Sequence, residues 1–199
     1  MTPTDGESAD ERAVASFVGH DAFDRVDDGS EFRVRTSTFP ATSRAREDRQ
    51  EGAVRVLVAV ALPTLQAAVV DGDAVADVVE DGWFDTLGLR LEDAYDVAEV
   101  EPAAEPVVTR ETPPVTVAGV ELESEQNDGR AVLARFEFRL DDPAATARRA
   151  KTIVDYVEGT YVQGVIPGYE YGDPVAGLLA SAQHDDGPSD DARRGGTPL

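Results

Sequence analysis

A chain of 199 residues, 41% of them hydrophobic, has the length and apolar content for one ordinary domain with a buried core. Its formal net charge of −22 opposes binding to nucleic acid or to an anionic membrane surface. The absence of cysteine rules out disulfides, thiolate metal sites and a cysteine nucleophile.

The charge is not confined to the ends. Residues 1–11 contribute −4 and residues 184–199 contribute −2, so most of it falls on the middle of the chain. Lys151 is the single lysine beside 17 arginines, against 23 Asp and 17 Glu. Short carboxylates hold water and counter-ions, and their mutual repulsion fades when salt shortens the screening length to about 3 Å at 1 M. This balance points to the cytoplasm of a salt-accumulating organism. The opening MTPTDGESADE is acidic and polar, with no basic and apolar export signal. The longest apolar run, Val56 to Leu62, is too short to cross a bilayer.

In chain order, residues 1–9 read as a tail. Glu11–Val18 reads as a short helix capped by Ser8 or Asp10, with Ala13, Val14, Phe17 and Val18 on one side and Gly19 as its stop. Phe23–Val26 is a short strand, and residues 27–30 a turn. Glu31–Thr38 alternates, with Arg33 and Arg35 outward; Pro40 bends it before it resumes through Ser43–Arg46. Ala53–Leu62 is apolar on both faces, which suits a central strand. A helix follows, capped at Asp71–Asp73, with Val75, Val78, Val79, Trp83, Leu87, Leu91 and Tyr95 as its buried stripe and room for a kink at Gly82 and Gly88. Glu99–Pro114, with four prolines, reads as a linker, with a short strand at Val107–Thr109.

Val115–Glu123 and Arg130–Leu140 then read as a hairpin around Asn127-Asp128-Gly129, with a bulge at Ala118-Gly119. Val132, Ala134, Phe136, Phe138 and Leu140 face inward on its second strand. The last major helix starts at Asp141 and Pro143. It carries Ile153, Val154, Val157, Tyr161 and Val165 on one face, and lies across the sheet as a lid. A short helix over Pro174–Ala182 precedes an acidic tail, residues 184–199. The expected fold is α+β: one domain, residues 10–183, with a single antiparallel sheet of about five strands and helices mainly on one face, in the order α-β-β-β-α-β-β-α.

Few motifs carry chemistry. Gly159 to Gly164 has phosphate-loop spacing, but Val165 and Ile166 replace the lysine and hydroxyl such a loop needs. His20 sits at a helix end and His184 in the tail, so no triad forms. Asp73, Asp77, Glu80, Asp81 and Asp85 fall at helical spacing, and among 40 acids such a stripe reads as a solvated face. Two groups stand out. Arg33, Arg35, Arg44, Arg46, Arg55, Arg135 and Arg139 fall on strands, mostly outward, with Arg148, Arg149 and Lys151 near by. They read either as a platform for an anionic ligand or acidic partner, or as a face where Glu31, Glu121, Glu123 and Glu137 pair with arginine. Tyr161, Tyr169 and Tyr171 lie at the end of the last major helix, where they line a pocket or interface or simply cover the core.

The segments VVEDGWFDTLGLRLEDA (Val78–Ala94) and VDYVEGTYVQGVIPGYEY (Val154–Tyr171) resemble an uncharacterised family of halophilic archaea, a domain of unknown function, over roughly residues 10–183. That resemblance implies no activity, cofactor or catalytic residue. The element order is similar to the type III secretion chaperone-like fold, whose members often dimerise and bind partner proteins. The leading expectation is a non-enzymatic binding or interaction module, homodimeric or engaging a protein partner, with candidate binding residues Arg33, Arg35, Arg55, Arg135, Arg139, Tyr161, Tyr169 and Tyr171. The alternative is a small-molecule or anion-binding regulatory domain, or an enzyme of unrecognised type. No metal, cofactor, nucleic acid or membrane partner is expected.

Overall fold

The computed structural model describes residues 7–26, 30–50, 52–70, 73–112, 115–117, 120–122 and 131–185. Helix α1 (Ala9–Val18) begins at Ser8, whose side chain accepts from the Glu11 N–H while the Glu11 carboxylate accepts from the Ser8 N–H at 2.8 Å. This reciprocal box satisfies two amides that have no partner within the helix. Ala13 and Phe17 are buried and Val14 is partly so, but Val18 turns to solvent.

Four strands follow in antiparallel succession: β1 (Phe23–Arg25), β2 (Glu31–Val34), β3 (Ala41–Glu47) and β4 (Val54–Pro63). Pro40 does more than bend one strand. The chain reverses before it, and residues 41–47 form a separate strand against both β2 and β4. Beyond β4, Thr64 caps a one-turn helix, α2 (Leu65–Ala68), that the sequence did not suggest. Helix α3 (Asp77–Leu91) starts later than expected. Its N-cap is Ala76 with no side-chain bond, so Asp73 caps nothing, and residues 71 and 72 lie outside the described residues. The helix is continuous through Gly82 and Gly88. Tyr95 belongs to a separate helix, α4 (Ala94–Ala98).

The expected hairpin between residues 115–123 and 130–140 does not form. Instead β7 (Val115–Val117) pairs with β8 (Val120–Leu122) as its own small sheet, and the 127–129 turn lies outside the described residues, as does the bulge expected at 118–119. Strand β9 (Ala131–Leu140) pairs along its whole length with β4, from Val54 opposite Leu140 to Pro63 opposite Ala131. The other edge of β9 takes β5 (Glu101–Pro102) and β6 (Val107–Glu111), so the short strand expected at Val107–Thr109 is present and the proline-rich stretch around it supplies a sheet edge rather than a linker alone. Proline is tolerated there because an edge leaves one row of amides without ladder partners. The sheet has seven strands, in the order β1-β2-β3-β4-β9 with β5 and β6 on the far side. The chain is α+β with a single main antiparallel sheet, as expected; the strand count, the second hairpin and several element bounds differ.

The ten-residue ladder supplies the floor of the core. Val54, Val56, Val58, Val60 and Leu62 are fully buried beside Val132, Ala134, Phe136 and Phe138. A 3-10 turn (Pro143–Ala145), capped by Asp142 rather than Asp141, leads into α5 (Thr146–Gly164). Ile153, Val154, Val157 and Tyr161 of α5 are fully buried in the same core. Each side chain of that size contributes about 1.5–3 kcal/mol on burial. Helix α6 (Val175–Asp185) adds Val175 at one end.

Polar clamps fix the lid. Glu158 of α5 accepts from Ser37 Oγ at 2.7 Å and from the Thr38 and Phe39 N–H groups at 2.5 and 3.2 Å, tying the β2–β3 reversal to the helix. Ser16 of α1 donates to Ala144 O at 2.9 Å and accepts from the Ala147 N–H at 3.1 Å. Between β5 and β6 the regular ladder lapses, with the Ala103 and Ala104 N–H groups both donating to Glu137 O, and the Tyr95 hydroxyl bridges the interruption. It accepts from the Glu137 N–H at 3.0 Å and donates to Ala104 O at 2.9 Å. Replacing Tyr95 with Phe removes both bonds and is expected to destabilise the protein by about 1–3 kcal/mol in chemical denaturation. An unchanged midpoint would show that the hydroxyl does not hold this edge.

Candidate functional site

The sheet face opposite the helices carries the outward residues of each strand. Arg46, Arg55 and Arg139 stand directly opposite one another across β3, β4 and β9. Three like charges in register repel, so their neighbours decide whether the row is available to a ligand. Arg46 Nη2 lies 2.8 Å and Arg55 Nη1 3.4 Å from Glu137 Oε1, Arg55 Nε lies 3.0 Å from Asp48, and Arg139 pairs with Glu101. Asp48 also accepts from the Gln50 N–H at 3.0 Å. That amide and then the Arg55 guanidinium hold the Asp48 carboxyl below its usual range. Arg135 reaches Glu111 at 3.7 Å. Arg33 lies on β2 opposite Asp24 and Thr42. Arg35 falls past the end of β2, where its Nε donates to Asp21 O. The face is therefore laced with ion pairs through Glu137, as the sequence allowed; Glu123 and the side chain of Glu121 lie outside the described residues.

The acidic stripe on α3 is likewise engaged in part. Glu80 accepts from the Leu65 and Gln66 N–H groups at 3.2 and 2.9 Å, and Asp81 pairs with Arg110 at 2.7 Å. Burial raises the Glu80 carboxyl above its usual value despite those amides. His20, just past the end of α1, accepts through Nδ1 from the Ala22 N–H at 3.2 Å. On α5, Arg149 bonds Ala98 O and Glu99, tying the helix to the end of α4, while Lys151 pairs with Asp155 one turn along its own helix.

A concave site lies elsewhere, between α3 and the second half of α5. This groove, about 300 Å3, is lined by Val78, Val79, Gly82, Trp83, Leu87 and Ile166, with Thr86, Arg90, Thr160, Gln163 and Gly164 adding polar groups or backbone. Trp83 is 4% exposed, and its Nε1–H is buried with no partner among the described residues. It faces Gly164, where even a Cβ would come to 3.6 Å of it. On the opposite wall a Cβ at Gly82 would meet nothing within 4 Å, so that glycine leaves the groove open. Val78, expected in the core, is instead 78% exposed at the rim.

The tyrosines build this site from behind. Tyr161 is fully buried, its ring edge-on to Trp83 at 5.6 Å and to Phe39 at 4.9 Å, so it sets the indole rather than meeting solvent. Burial raises its hydroxyl far above the usual phenol range. Tyr171 accepts from the Ile166 N–H at 2.9 Å and donates to Ile166 O at 2.8 Å, which fixes the residue at the groove's end. Tyr169 packs partly buried against the core. The sequence drew attention to the tyrosines but not to Trp83, Arg90 or Gln163, which only the crossing of the two helices brings together. A usable signal was present: α3 carries apolar residues such as Val78 and Leu89 on the side away from the core.

Among the described residues, no helix is long and apolar enough to cross a membrane. No curated protein and no solved structure matches the chain. A family model described as a family of unknown function (DUF5813) matches residues 18–129 and 118–181, which takes in both α3 and α5. The chain, with its seven-stranded sheet and the groove beside Trp83, belongs to that family of unknown function.

Proposed function

We propose that this protein is a non-enzymatic binding module whose seat is the groove between α3 and α5. The observation that carries this reading is an apolar trough walled by a buried indole and dotted with polar groups, the usual make-up of a small-ligand site. Its lining holds Thr, Gln and Arg but no carboxylate or imidazole to move a proton near neutral pH, which supports binding over turnover. The arginines of the open sheet face are a weaker seat, because an incoming anion would have to displace Glu137, Asp48 and Glu101.

Trp83 is the chain's single tryptophan, so its fluorescence reports directly on the groove. Gly82→Phe fills the trough without touching the core, and replacing a helical glycine does not weaken α3. The variant is expected to melt no lower than the wild type and to lose the fluorescence response to small apolar molecules. An unchanged response would move the seat elsewhere.

The acid-rich, lysine-poor composition supports a salt-adapted cytoplasmic setting for this module. The unfolding midpoint is expected to rise between ~0.1 M and ~3 M KCl as repulsion is screened. A flat or falling midpoint would contradict that setting.

A further inference from the structure

The groove's polar groups are unevenly placed. Its deep wall is Val79, Trp83 and Leu87, closed at one end by Ile166, while Arg90 lies in the last turn of α3 on the exposed side. Among the described residues Arg90 makes no ion pair, as is also true of Arg25, Arg44, Arg49 and Arg148, and of these it is the one that lines the groove. Tyr156 holds the Arg90 carbonyl through its hydroxyl at 2.9 Å, fixing the backbone from which the guanidinium extends. Gln163, across the groove on α5, offers an amide donor to the same opening.

We infer that the groove takes an apolar monocarboxylate, its hydrocarbon part against Val79, Trp83 and Leu87 and its carboxylate on Arg90 with Gln163 beside it. This inference rests on the groove being the seat. One planar guanidinium matches one carboxylate by two parallel hydrogen bonds. A dianion such as a phosphate monoester is disfavoured, because among the described residues Arg90 is the single cationic side chain lining the groove, and Asp85 on the same helix adds to the repelling field of a −22 body. A neutral alcohol of the same length gains the apolar contacts but not the ion pair, so charge rather than length sets the selectivity.

The test uses the full-length protein at molar KCl, titrated with octanoate and with 1-octanol and read by Trp83 fluorescence and by calorimetry in parallel. The wild type is expected to bind octanoate about tenfold more tightly than octanol, a gap of about 1.4 kcal/mol. Arg90→Met keeps an apolar stem and removes the charge. It is expected to weaken octanoate about tenfold, to the level of octanol, and to leave octanol unchanged. Arg90→Lys retains much of the preference, which separates charge from a fold defect. Equal binding of the two probes by the wild type, or octanoate binding indifferent to Arg90→Met, overturns the carboxylate while leaving the groove as a seat. Binding of neither probe, or octanoate binding that persists in Gly82→Phe, overturns the groove and this inference with it.

Discussion

The ladder between β4 and β9 is the constraint on which the remaining structure depends. Ten residues of each strand pair without interruption, although 67 residues separate Pro63 from Ala131. That pairing places Val54 to Leu62 and Val132 to Leu140 on one apolar surface, and α5 is buried against it through Ile153, Val154, Val157 and Tyr161. Once α5 is fixed, Tyr161 sets Trp83, and Trp83 sets the wall of the groove. The chain of dependence runs from strand register to helix position to the shape of a binding site.

The two faces of the sheet divide the labour. The helical face is dry and packed. The open face is polar, and at one end β7 covers it, with Val117 packed on Ala61 and Leu133 as a second small apolar cluster. In a body this acidic, four of the sheet's arginines, Arg46, Arg55, Arg135 and Arg139, are matched to carboxylates. Such partly exposed pairs contribute little each and serve mainly to let like-charged strands lie side by side. Arg90 has no carboxylate partner among the described residues and sits beside an apolar trough, and it is that position which makes it more informative than the arginines in register.

Local sequence carried the elements whose neighbours lie close in the chain. The Ser8 and Glu11 capping box, the alternation of β4 and β9, and the α5 stripe are all legible, because period and cap chemistry act within a few residues. The second hairpin was misread because the Asn127-Asp128-Gly129 turn signal says nothing about competition for the edges of β9, and β4 and β6 win both of them. The strand expected at Val107–Thr109 is present as β6, but its place on the edge of β9 could not be read, since only the finished sheet shows which amides need no partner. Val78 was assigned to the core on spacing alone, but the helix turns its Trp83–Leu87–Leu91 side inward and leaves Val78 outside. The apolar outer side of α3 hinted at the groove, but its polar lining could not be read in advance, as only the crossing of α3 and α5 brings Arg90 and Gln163 to one opening.

Native-state hydrogen exchange tests the central ladder most directly. The amides of Val54–Leu62 and Val132–Leu140 are expected to be the slowest in the molecule and to open together with Ile153–Tyr161 at the free energy of global unfolding. Exchange of Val132–Leu140 at a distinctly lower free energy than Val54–Leu62 would contradict the account, because the two strands would then not form one cooperative floor.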